Sequence, residues 1–154
     1  MAEFRIAVGV DGSDESYSAL RWALEEARRQ GADTTVRAVH VQPVMYMAGL
    51  LGEAITPRVD EEADERGRQM LAAIRQRAVD DGFGDVSMDV EQVIGHVTQV
   101  LLRTSKDADM LVVGSRGEGG FVGLVLGSVP QSLAGHCSCP LVIVPLSRAR
   151  SGGS

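Results

Sequence analysis

Apolar positions along this chain alternate between two periods. Residues 4–10, FRIAVGV, form a nearly unbroken apolar run closed by the turn sequence DGS, which predicts a strand buried on both faces. From Ser13 the period lengthens. Leu20, Ala23, Leu24 and Ala27 share one face at helical spacing, with Ser13 as the expected N-cap and Gly31 as the stop. Residues 34–41, TTVRAVHV, are rich in β-branched residues and read as a second strand. The stretch 42–57, QPVMYMAGLLGEAITP, has no clean period. Thr56 followed by Pro57 predicts a helix start, and Val59, Ala63, Met70, Leu71, Ile74 and Ala78 an apolar stripe running to about Asp81. DVSMDVEQV predicts a third strand, HVTQVLLRTSK a short helix, and DMLVVG a fourth strand. After a glycine-rich segment come a helix over about Ser128–His136 and a fifth strand, PLVIVPL.

Strands alternating with helices at this spacing imply parallel pairing, right-handed crossovers and helices on both faces of one sheet. Sheets of this kind take ligands outside the carboxyl ends of their strands, where the chain order reverses. Two loops fit that position: DGSD after the first strand and the glycine loop after the fourth. A chain of 154 residues suits one domain, expected over residues 1–146, with SRARSGGS, 147–154, as a polar tail.

Charge changes this picture little. The net charge is −6, but five acids fall in DEEADE, residues 60–65, where a helix dipole favours them. The remainder is nearly balanced, and 3 Phe, 2 Tyr and 1 Trp supply little stacking surface, so no nucleic-acid partner is expected. No opening leader pattern and no apolar run of membrane length is present, so the expected location is the cytoplasm, with no membrane association. Cys137 and Cys139 sit too close in sequence for an ordinary structural disulfide and lack a second pair for zinc; they read as reduced thiols acting as small hydrophobes. His40 reads as packing or a local hydrogen bond, and His96 and His136 as helix-end residues.

The glycine segment carries the candidate chemistry. GSRGEGGFVGLVLGS, residues 114–128, opens onto a helix N-terminus, and glycines leave amide N–H groups uncovered for an anion such as phosphate. It is not a Walker A loop, since it has no lysine. Nor is it the dinucleotide fingerprint, which follows a first strand with a different glycine spacing. Gly114, two residues, Gly117, nine residues, then Gly127-Ser128 is the G-x2-G-x9-G-[S/T] pattern of the universal stress protein family. VGVDGSDES, VHV, DADMLVVGSRG and CPLVIVP also resemble that family's landmarks, in its order, over about residues 4–146.

The resemblance implies a three-layer, Rossmann-like or flavodoxin-like α/β fold of the adenine nucleotide alpha hydrolase-like kind, with five parallel strands in the order 3-2-1-4-5. It also implies ATP binding and a homodimer formed near the last strand. By position, Val10 and Asp11 would be nucleotide-binding, Asp11 contacting the ribose hydroxyls or helping hold a metal, and the Val41 backbone would meet the adenine edge. Gly114, Ser115, Arg116 and Gly117 would pass close to ribose and phosphates, and Gly127, Ser128 and Val129 would offer amides and one hydroxyl to the phosphate chain. Magnesium or manganese would accompany a triphosphate, held mainly by phosphate oxygens and water. Pro130 departs from the family pattern by removing a hydroxyl and an amide, which brings AMP forward beside ATP. Glu118 is the loop's one carboxylate, and amides without a base or lysine suit holding better than cleaving. The expected function is nucleotide-dependent regulation in a stress response; the alternatives are slow ATP hydrolysis and a nucleotide-free interaction module.

Overall fold

Runs of valine, isoleucine and alanine pair edge to edge because both faces of the central runs find helices to pack against. The computed structural model describes residues 3–47, 56–116 and 126–146. Its main sheet consists of β1 (Phe4–Gly9), β2 (Thr34–Gln42), β5 (Ser87–Ile94), β6 (Met110–Gly114) and β7 (Leu141–Val144). All pairs are parallel, in the order β5-β2-β1-β6-β7, which is 3-2-1-4-5 when these five strands are counted along the chain. A separate antiparallel pair joins β3 (Met45–Met47) to β4 (Thr56–Arg58).

Alternation along β1 divides the core. Ile6 and Val8 pack with Leu20, Ala23 and Leu24 of helix α1 (Asp14–Gln30) and Leu71 of α2 (Glu61–Ala78) on one face. Ala7 faces the other way, into a cluster with Leu101 of α3 (Val97–Ser105) and Leu133 of α4 (Ser128–His136). Helix α1 begins where expected: the Ser13 hydroxyl accepts the Ser16 N–H at 3.1 Å. It ends at Gly31, whose φ of 111° lies in the region that favours glycine.

The start of α2 differs from the sequence expectation. Thr56 and Pro57 lie in β4, with Pro57 opposite Tyr46, and the helix starts at Glu61. Asp60 supplies the cap, its Oδ1 accepting the N–H groups of Glu62 and Ala63 at 3.1 Å each. Proline lacks an N–H, which a short two-stranded pair tolerates, and a carboxylate is the stronger cap. Val59 therefore leaves the apolar stripe and stands 54% exposed. Beyond Ala78 the chain winds on over Val79–Phe83 and breaks helical geometry at Gly82, whose φ is 94°.

Candidate functional site

The chain leaves β1 toward β2 on one side and leaves β6 toward β7 on the other, so the carboxyl ends of β1 and β6 open a cleft at the reversal of strand order. The cleft holds about 100 Å³. Gly9, Val10, Asp11 and Ser16 form one wall, Val39 and Val41 a second, Val97 and Leu101 the floor from α3, and Val113, Gly114, Val129 and Pro130 the remainder. Most of this lining is apolar. Polar groups enter at the rim and from the backbone.

At the β1 end, Asp11 closes its own turn. Its Oδ1 accepts the Ser13 N–H at 2.9 Å and the Ser13 hydroxyl, while its own N–H donates to Ser16 Oγ at 3.2 Å. The same residue that lines the cleft thus fixes the start of α1. Val10 is buried and donates its N–H to Val39 C=O at 2.9 Å. Because the groups of successive residues in a strand point to opposite neighbours, Val41 aims its N–H and C=O to the same side as Val39, toward the line that β1 vacates after Gly9. Gln42, one residue on, turns its carbonyl to the opposite side and accepts from Gly95 at 2.9 Å. A hydrogen-bonding strand edge therefore borders the apolar hollow.

At the β6 end the glycines differ in role. A Cβ on Gly114 would stand 3.0 Å from the carbonyl carbon and oxygen of Glu15, so this glycine lets α1 approach β6. Ser115 is buried, with its N–H donating to Val144 C=O at 2.9 Å and its C=O accepting from Gly127 at 2.8 Å. The amide expected from Gly127 is therefore engaged within the protein. A Cβ on Gly127 would meet nothing nearer than 3.5 Å among the described residues, and its φ of −73° suits any residue, so packing among the described residues places no demand for glycine there. Helix geometry leaves the next two amides, Ser128 and Val129, without intrahelical acceptors. Pro130 has none, and the Gln131 N–H returns to Gly127 C=O at 3.2 Å. Arg116 is half-buried beside this strand end.

Gly117 and Glu118 lie outside the described residues. Val39, Val97, Leu101 and Val113 are lining residues that the sequence reading did not single out; the i, i+4 pair Val97 and Leu101 and the apolar carboxyl ends of β2 and β6 are the signals that could have found them. His40 Nδ1 lies 3.2 Å from Gln92 Oε1, and His136 Nδ1 3.1 Å from Ser132 C=O; His96 occupies the cap position of α3. Among the described residues no group of three or more His, Cys, Asp or Glu could hold a metal ion, and no helix is long and apolar enough to cross a membrane.

A parallel sheet in this order, with a cleft at its switch point, defines a Rossmann-like α/β domain. The chain belongs to the universal stress protein family, whose family model matches residues 4–145. A universal stress protein of Mycolicibacterium smegmatis is 34% identical over 152 residues, covering 92% of this chain; the chain spans about half that relative's length, 48%. Among solved structures, a universal stress protein in complex with cAMP superposes with a TM-score of 0.66 at 23% identity, covering 96% of this chain and all of its own. A universal stress protein family protein from Arabidopsis thaliana with AMP bound gives 0.62 at 21% identity, covering 98% of this chain and 97% of its own. These two likenesses establish the fold.

Proposed function

We propose that this chain binds an adenine nucleotide in the cleft between β1 and β6 and uses its occupancy to regulate a partner in a stress response. The observation that carries the reading is the joining of three features in one cleft. An apolar hollow suits a flat base, the Val41 backbone offers an N–H and a C=O beside it, and the Ser128 and Val129 amides stand at a helix N-terminus where phosphate is favoured. In this reading Asp11 and Val10 meet the ribose, and Gly114, Ser115, Arg116 and Gly117 accompany the phosphates. Two family structures carrying cAMP and AMP support the ligand class.

The phosphate end favours a short chain. Gly127 spends its amide on Ser115, and Pro130 has none to give. AMP should therefore bind at least as tightly as ATP. A magnesium or manganese ion beside a triphosphate would be held by phosphate oxygens and water, since the described residues provide no ligand cluster. In this reading the protein is cytoplasmic, one domain over residues 1–146, and a homodimer. Support for the dimer comes from β7, an edge strand whose Leu141–Val144 run is only half-buried, with Leu146 40% exposed.

Calorimetric titration of the purified protein with AMP, cyclic AMP and ATP, with and without magnesium, tests this. Binding should weaken by about tenfold or more in Gly127→Val, a change of ~1.4 kcal/mol or above. Unaltered affinity in a folded Gly127→Val protein would move the phosphates elsewhere. ATP binding tenfold tighter than AMP would contradict the short-chain preference. Steady phosphate release abolished by Glu118→Ala would make the protein a weak ATPase instead.

A further inference from the structure

The Cys137-Ser138-Cys139 segment lies outside the nucleotide cleft, yet helix α4 joins the two. Cys137 caps α4, donating its N–H to Leu133 C=O at 2.9 Å, and the Ser138 N–H donates to the buried Ser105 hydroxyl of α3 at 3.1 Å. The two Sγ atoms stand 4.0 Å apart, both thiols are free, and both side chains are half-buried against the core cluster that includes Leu133 and Val129. At the opposite end of the same helix, Val129 and Pro130 form part of the cleft wall.

We propose that Cys137 and Cys139 form a reversible dithiol–disulfide couple, and that closing the bond loosens the C-terminal turn of helix α4. Two sulfurs already in contact need close only about 2 Å to reach bonding distance. That displacement acts on Cys137, whose amide holds the last turn. A bridge between residues this near in sequence is strained, and strained bridges are the readily reduced ones, suited to switching and not to structural support.

The oxidant is a low-molecular-weight disulfide. Cys137 loses its proton to water and attacks one sulfur of that disulfide, forming a mixed disulfide and expelling one thiolate, which takes up a proton. Cys139 then loses its proton and attacks the Cys137 sulfur, closing the internal bond and expelling the second thiolate, which is protonated in turn. The protein loses two electrons and two protons, and the small disulfide becomes two thiols. The order of attack follows from the environment of Cys139, whose thiol is pushed up to about 12 by burial and by the neighbouring Cys137. Capping Cys137 as a mixed disulfide removes the second and smaller influence, leaves burial in place, and sets an electrophilic sulfur beside Cys139, whose Sγ already lies 4.0 Å away. A small-molecule thiol in excess runs both steps backwards.

The test is independent of the nucleotide reading. The intact protein is equilibrated over a series of oxidised-to-reduced glutathione ratios, then trapped and weighed without reduction, with amide hydrogen exchange followed in parallel. The expected result is a monomeric species lighter by two hydrogens, present only at oxidising ratios. With it, exchange at Gly135, His136 and Cys137 should be several-fold faster, with α1 unchanged. Cys137→Ser and Cys139→Ser should each remove both effects. Oxidation that yields only mixed disulfides or cross-linked dimers would overturn the couple. An internal disulfide with unchanged α4 exchange would overturn its link to the helix.

Discussion

Two glycines of the same motif meet different constraints. At Gly114 an added methyl would press on the backbone of Glu15 at 3.0 Å, where neither partner is the free end of a side chain. Gly114→Ala should therefore lower stability by about 1–3 kcal/mol, read as a shift in denaturant midpoint. At Gly127 an added Cβ would meet no atom of the described residues closer than 3.5 Å, so Gly127→Ala should cost about 1 kcal/mol or less, as at a cap position, while weakening nucleotide binding. Equal loss of stability in both variants would contradict this division. Tyr17 offers a pH test. Its hydroxyl donates to Asp81, Arg77 lies 3.6 Å over its ring, and burial followed by that carboxylate pushes its pKa from 10.0 up to about 12. The folded state holds the proton more tightly, so this contribution is complete below pH 10 and is lost as the pH rises toward about 12. An absorbance titration should show one late-ionising tyrosine, and Tyr17→Phe should flatten the alkaline fall in stability.

Elements are set by local signals unless a better partner overrides them. Ser13, Gly31 and the bounds Ser128–His136 were legible because cap, glycine stop and period agree there. The start of α2 was not: Thr56-Pro57 carries a local helix signal, but pairing with Met45–Met47 wins it for a strand, and Asp60 caps the helix instead. The contact between α2 and β5 was also hidden, because it depends on Gly67. A Cβ there would lie 2.2 Å from Gln92 Oε1, and Gln92 Nε2 donates to Asp64 Oδ1 at 2.7 Å, Asp64 C=O at 2.8 Å and Gln42 Oε1 at 3.2 Å. Gly67→Ala gains helix propensity but displaces that amide. It should destabilise the wild type and, in a Gln92→Ala background, stabilise by about 1 kcal/mol. The same sign in both backgrounds would show that Gln92 is not what Gly67 accommodates.

For the whole molecule, parallel pairing and helices on both faces followed from the alternation of strands and helices, while the strand order, and with it the cleft between the first and fourth of the five strands, came from the family resemblance carried by the motifs. What sequence could not show is which groups the fold had already used. The Gly127 amide is taken by Ser115 and the Gly114 position by α1, both through contacts between segments far apart in sequence. What the fold leaves at the cleft is an apolar hollow, a strand edge at Val41 and two helix amides. The direct test of that account is to denature freshly purified protein and identify and quantify the small molecules it releases, followed by equilibrium dialysis of the emptied, refolded chain against AMP. Release of an adenine nucleotide from a substantial fraction of chains, with AMP taken up again, is the predicted result. A protein that emerges empty and takes up neither AMP nor ATP at millimolar concentration would contradict it.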